Sequence, residues 1–202
     1  MRSGAESSSA MRLLFVHQNF PGQFRHLAPA IAARPGTEVV ALGMHERAVP
    51  GQIRVVRYRP ERKASPTVHP WVADVEVKAI RGEAAFHAAL ALRAEGFRPD
   101  VIVAHPGWGE SLFLKEVWPD ARLGLYCEFY YRAVGQDVGF DPEFEPRDDS
   151  TACRLMLKNA NFLLHVEQMQ AGISPTCWQA RTFPSFLEGK ISVVHDGIDT
   201  AL

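Results

Sequence analysis

Polar groups gather wherever a short apolar run of this chain comes to an end. His17 follows LLFV, His105 follows DVIVA, Glu128 follows RLGLYC and His195 follows ISVV, and each histidine stands close to a glycine. An imidazole can give or take a proton near neutral pH, and a carboxylate can accept a sugar hydroxyl or fix a histidine tautomer. Glycine lets the backbone turn tightly. Such a set suits recognition of a hydroxylated or phosphorylated molecule. Each residue also has a plainer reading, the histidines as ordinary turn residues and Glu128 as an ion-pair partner of Arg132.

The elements that must position these groups follow from periodicity. Leu13–Val16 is too short for a helix and reads as a strand buried on both faces of a parallel sheet. Pro21-Gly22 then turns into an amphipathic helix bearing Phe24, Leu27, Ala28 and Ile31, whose N-terminal dipole would favour a phosphate or sugar oxygen near Gly22. Glu38–Gly43, Ile53–Tyr58, Asp100–Ala104, Arg122–Cys127, Ala171–Ser174 and Ile191–Val194 read as further strands, the third an outer one because arginines interrupt it. Helices are predicted from Pro70 to about Glu95 on a stripe of Val72, Val75, Ala79, Phe86 and Leu90, around Leu112, Phe113 and Val117, and from Thr151 to Gln170. Another starts at Ser174 as N-cap with Pro175 in its first position. The sum is an α/β fold: a Rossmann-like, doubly wound parallel sheet of about seven strands with helices on both faces. If the sheet grows outward both ways from its first strand, strands one and four are neighbours whose crossovers leave to opposite sides. Ligands bind at the carboxyl ends of such a switch point, and His17, Gly22, His105 and Gly107 would line that crevice.

A length of 202 residues, 47% hydrophobic and 22% charged, suits one domain over residues 11–202. Met1–Ala10, rich in serine and without the apolar core of a secretory signal, is expected to be a disordered leader. A net charge of −1 and the lack of reading motifs argue against nucleic acid as a partner. No apolar run approaches the roughly 20 residues of a membrane span. Cys127, Cys153 and Cys177, odd in number and without a C-x-x-C pair, indicate neither a disulfide framework nor a zinc site and fit a reducing cytoplasm. Arg59, Arg62 and Lys63 form a basic cluster that could meet phospholipid head groups or a pyrophosphate-linked acceptor, or simply be solvated. The acidic, Pro- and Gly-containing segment 136–149, with Phe140 and Phe144 as anchors, reads as a flap over the cleft.

Four segments occur in order: HQNFPGQFRHLAP (17–29), AHPGWGESLFLK (104–115), EFYYR (128–132) and SPTCWQARTFP (174–184). Ile191–Thr200 is similar to V-I-P-N-G-V-D-T, with His195-Asp196 in place of Pro-Asn. On these segments the chain resembles the N-terminal, acceptor-side half of a family 4 glycosyltransferase of the GT-B fold. The resemblance implies transfer of a sugar from a nucleotide-diphosphate sugar to an acceptor hydroxyl, with retained anomeric configuration and no metal or other cofactor. The acceptor would be a glycan or a lipid-linked molecule of cell-surface polysaccharide or glycolipid synthesis. A cytoplasmic location, with peripheral contact at the inner face of the membrane left open, goes with it. The family pattern maps Gly22 onto the donor's phosphates and sugar, and His105 onto the transferred sugar. His105 and Glu128 are then the catalytic candidates, and His17, Asn19, Gly22, Gln23, Gly107, Trp108, Tyr130, Arg132, Asp196 and Gly197 the donor- or acceptor-binding ones. The family's donor-binding cation and paired glutamates belong to a C-terminal domain outside these residues, so this chain alone is expected to be inactive.

Two other readings stay open. A sugar-nucleotide epimerase half of the same architecture would need carboxylates poised for proton transfer, which Glu128 fits loosely. A non-catalytic binding module could use the same scaffold. A Rossmann dehydrogenase is disfavoured, since no G-x-G-x-x-G follows the first strand.

Overall fold

The computed structural model describes residues 10–45, 47–49, 51–136, 138, 140, 141, 143, 148–198 and 200. Their strands are β1 (Met11–Val16), β2 (Thr37–Gly43), β3 (Arg54–Arg57), β4 (Val101–Ala104), β5 (Arg122–Tyr126), β6 (Met169–Ser174) and β7 (Ile191–Val193). They form one all-parallel sheet in the order β3-β2-β1-β4-β5-β6-β7. The helices are α1 (Leu27–Ala32), α2 (Ala73–Ala94), α3 (Leu114–Val117), α4 (Thr151–Val166) and α5 (Cys177–Ala180). As expected for a central parallel strand, β1 buries Leu13, Leu14, Phe15 and Val16 on both faces.

The two faces are covered unequally. On one, Leu14, Val16, Leu42 and Ile102 pack under Ala85, Ala89 and Leu92 of α2, Leu114 and Val117 of α3, and Phe162 of α4. On the other, Leu13, Phe15, Val39 and Ala41 lie under Phe20, Phe24 and Ala28. The chain leaving β1 therefore packs on one face and the chain leaving β4 on the opposite one, while Leu13–Val16 pairs directly with Val101–Ala104. That is the switch point the sequence predicts. β3 is an edge strand, and its Arg54 pairs with Glu95 at 2.6 Å.

Several local expectations are corrected. The helix after Gly22 is interrupted: Gly22–Phe24 makes a single 3-10 turn and α1 begins only at Leu27. Pro29 explains this, because a residue without an N–H is tolerated only in a helix's first turn. The most buried apolar side chains of α2 are Ile80, Ala85, Ala89 and Leu92; Phe86 and Leu90 of the expected stripe pack half-buried against the same core, whereas Val72 is exposed. Small residues win there because α2 crosses the loop after β4 closely. A Cβ on Gly82 would lie 2.9 Å from the Gly109 carbonyl, and one on Gly109, at φ +100°, 2.3 Å from the Lys78 carbonyl. α4 stops at Val166, and Met169 already opens β6. Ser174 is not a cap but the last residue of β6, its carbonyl held by the Val194 N–H at 2.9 Å. Thr176 caps α5 instead, Oγ1 accepting the Gln179 N–H at 3.1 Å. Arg59, Arg62 and Lys63 are solvated, Arg62 lying 3.6 Å from Glu83. Phe140 is 82% exposed and anchors nothing. The rest of the expected flap, Phe144 included, falls partly outside the described residues, as does the expected leader over residues 1–9. Among the described residues, no helix is long and apolar enough to cross a membrane.

A buried polar knot joins α4 to the loop after β4. The Asn161 amide donates to the Pro106 carbonyl, the His165 Nδ1–H donates to the Asn161 carbonyl at 2.7 Å, and the Ser111 hydroxyl donates to His165 Nε2 at 2.8 Å. Burial lowers the pKa of His165 from 6.5 to about 4, so the folded chain holds it neutral while the unfolded chain protonates it below pH 6.5. Stability linked to this group is complete above pH 6.5 and is lost as pH falls toward 4, by up to about 3 kcal/mol. We expect the slope of unfolding free energy against pH in that window to shrink by close to one proton in His165→Gln. An unchanged slope in urea titrations would refute it.

Candidate functional site

Because β1 and β4 are parallel neighbours in register, the residues that follow them emerge side by side. The His105 N–H still donates to the Val16 carbonyl at 3.0 Å, and the His17 N–H to the Leu42 carbonyl at 3.2 Å. The two rings meet edge-on with centroids 5.5 Å apart. Both loops use the same local device. Nδ1 of His17 accepts the Asn19 backbone N–H at 2.9 Å, and Nδ1 of His105 accepts the Gly107 N–H at 3.1 Å. A nitrogen that accepts carries no proton, so each ring in its neutral form bears its hydrogen on Nε2. His17 Nε2–H donates to Gln23 Oε1 at 2.5 Å and His105 Nε2–H to Glu128 Oε2 at 2.9 Å. The Gln23 amide donates to Glu128 Oε1 at 3.3 Å and closes the chain His17–Gln23–Glu128–His105.

Aromatic packing fixes the rings. His105 lies between Trp108, stacked at 4.4 Å, and Tyr126, stacked at 5.6 Å, while Trp108 also meets the His17 ring at 4.9 Å. Phe24 lies perpendicular to both the His17 and the Tyr126 rings. The Tyr126 hydroxyl donates to Asp196 Oδ2 at 2.7 Å, which ties the segment after β7 to the same cluster. The glycines serve the imidazoles directly. A Cβ on Gly22, at φ +47°, would fall 2.3 Å from the His17 ring, and one on Gly107 would fall 2.7 Å from the His105 ring. With only a three-residue 3-10 turn behind Gly22, no long helix dipole points there, contrary to the sequence expectation.

Burial separates the groups that hold from the group that can be reached. The His105 side chain keeps 5% of its surface and both of its nitrogens are engaged, whereas the Glu128 side chain keeps 44% open. The hydrogen bond from His105 holds the Glu128 carboxyl below its usual range. Burial, then the neighbouring His105, lowers His17 to about 4. Burial and the bond to Asp196 push the Tyr126 phenol up. The result is an anionic, weakly basic carboxylate at the rim of an aromatic nest. From His17 and Trp108 a groove of about 880 Å³ runs past Asn19, Gly22 and Gln23 to Arg25, His26 and Arg47. Among the described residues, no three His, Cys, Asp or Glu side chains are grouped to hold a metal ion.

Nine sequence candidates come together here: His17, Asn19, Gly22, Gln23, His105, Gly107, Trp108, Glu128 and Asp196. Tyr130 does not join them, since its ring packs against Phe162 and Phe183. Arg132 also points elsewhere, donating to the Thr182 carbonyl at 3.3 Å, so the alternative Glu128–Arg132 ion pair is not formed. Gly197 is exposed, its N–H bound to His195 Nδ1 at 3.0 Å. Tyr126 and Phe24 are site residues that motif reading missed. Strand register could have found Tyr126: Ala104 pairs with Leu125, so the residue after each stands at the same level.

The model of the glycosyl transferase family 4 group matches residues 35–202. No curated protein matches the chain in sequence. Among solved structures, a UDP-glucose:anthocyanidin 3-O-glucosyltransferase in complex with UDP is similar with a TM-score of 0.56 at 12% identity, over 95% of this chain and 54% of that one. The apo form of UGT2 from Phytolacca americana gives 0.55 at 11% identity, over 94% and 52%. A Polygonum tinctorium UDP-glucosyltransferase capable of glucosylating indoxyl gives 0.54 at 12% identity, over 93% and 52%. Identities this low show likeness of fold, and the chain spans about half the length of these relatives. With the family match extending through the loop after β4 and the segment after β7, the chain belongs to the glycosyl transferase family 4 group and has the Rossmann-like domain of a GT-B glycosyltransferase.

Proposed function

We propose that this chain is the acceptor-side half of a retaining glycosyltransferase that moves a sugar from a nucleotide-diphosphate sugar to an acceptor hydroxyl. The observation that carries this reading is the half-open Glu128 carboxylate, held at the switch-point crevice by His105 and Gln23. A carboxylate in that position accepts the hydrogen bond of an acceptor hydroxyl and aims its oxygen into the crevice. Its lowered pKa makes it a poor proton acceptor, which favours orienting the hydroxyl over deprotonating it. That division of labour agrees with the retained configuration the family resemblance implies, where no protein base need deprotonate an acceptor hydroxyl attacking from the face opposite the leaving group. His105 is then a positioning residue, locked by Trp108 and Tyr126 so that its Nε2–H fixes one carboxylate oxygen.

The relatives in solved structures are about twice as long as this chain, which supports a second lobe as the source of most donor contacts. Departure of a nucleotide diphosphate calls for cations or dipoles aimed at the leaving charge. Burial holds His17 neutral, so it supplies little of that.

In protein containing both lobes, Glu128→Gln and His105→Ala are expected to lower kcat by about 100-fold through misplacement of the acceptor, with far-UV circular dichroism unchanged. Wild-type turnover in both variants would remove this crevice from the reaction. The product should keep the donor's anomeric configuration by proton NMR, and turnover should survive EDTA. An inverted product would overturn the retaining assignment, and a loss reversed by a divalent cation would overturn metal independence. The purified 202-residue chain should show no transfer from any nucleotide sugar. Measurable turnover there would show that no second lobe is needed.

A further inference from the structure

The groove beside His17 has a charge pattern that the transfer chemistry does not use. Arg25, in the turn after Phe24, and Arg47, in the β2–β3 loop, reach it from separate segments, with Trp108 and Gln23 further in. No Asp or Glu is among its described lining residues. Neither Arg25 nor Arg47 has an ion pair among the described residues. Two guanidinium groups on one concave wall create a positive potential that a bound anion would relieve, and their planar forks match carboxylate or phosphate oxygens. The charge of Arg47 also reaches His17 and adds to the lowering of its pKa, so this end of the groove is electrically continuous with the site.

We infer that this groove binds an acceptor sugar carrying an anionic substituent, a carboxylate or a phosphate, held by Arg25 and Arg47 while a hydroxyl of the same molecule faces Glu128. The word acceptor rests on the transferase reading above; the anion rests on the groove alone. Gln23 links the two ends, since it lines the groove and donates to Glu128. Trp108, half-buried in the groove lining, adds apolar contact for the carbon skeleton of a sugar.

The test titrates the purified protein, without nucleotide sugar, with glucose 6-phosphate, glucuronate, glucose, inorganic phosphate and UDP, following the Trp108 indole N–H and the Arg25 and Arg47 signals by NMR. At least one anionic sugar should bind about tenfold more tightly than glucose and than inorganic phosphate, and the difference should shrink as salt rises. Whichever of the two binds identifies the substituent. Arg25→Gln combined with Arg47→Gln should erase the preference while leaving weak glucose binding in place. Arg47→Glu, at an exposed loop position, gives a second reading of the same loss. Equal binding of glucose, equal binding of inorganic phosphate (an adventitious ion only), shifts produced by UDP but by neither anionic sugar, or a preference that survives the double variant would each overturn the assignment. None of these measurements involves transfer, so failure here leaves the Glu128 and His105 tests standing, and failure there leaves the anion preference measurable.

Discussion

Everything in this chain that bears on chemistry depends on one pairing, that of β1 with β4. Parallel strands send all their carboxyl ends to one edge, and here neighbouring strands pass their chains to opposite faces of the sheet. Between them nothing crosses, and the crevice is left to side chains from the first turn of each loop. A different neighbour for β1 would separate His17 from His105 however well each loop was formed.

Within that frame the site is built from the inside outward. Two backbone N–H groups set the tautomers, glycines make room for the rings, and Trp108 and Tyr126 clamp one of them. All four imidazole nitrogens of His17 and His105 are used internally, whereas the Glu128 carboxylate stays half open. This reverses the emphasis that residue type alone suggests. Histidine is the familiar carrier of protons, yet here both imidazoles are scaffolding and the carboxylate is the exposed surface. Burial disfavours the charged form of His17, while the His105 hydrogen bond favours the charged Glu128 carboxylate.

Much of the fold was legible because apolar runs of four to seven residues bounded by glycine or proline leave few alternatives to buried parallel strands. The clustering of polar residues at strand ends was equally visible, and most of the site was named from it. What was not legible depended on distance between elements. The buried side of α2 is set by its close crossing at Gly82 and Gly109, which no periodicity within the helix records. Tyr130 and Arg132 follow Glu128 directly, but the chain turns there, and the Thr182 hydroxyl and carbonyl bind the Tyr130 N–H and the Arg132 side chain away from the crevice. Tyr126 sits inside a run that reads only as strand, and its role emerges from register with β4. The missing helix dipole at Gly22 was readable after all, since Pro29 limits how early that helix can start.

The bond from Tyr126 to Asp196 has a mechanical meaning. Asp196 lies on the outgoing strand exit of β7, three strands away from β4, yet a single hydroxyl connects it to a ring that leans on His105. That bond is a direct link between this exit and the aromatic nest. Two contacts, one polar and one aromatic, thus span the distance from the far side of the sheet to the innermost imidazole without involving any helix.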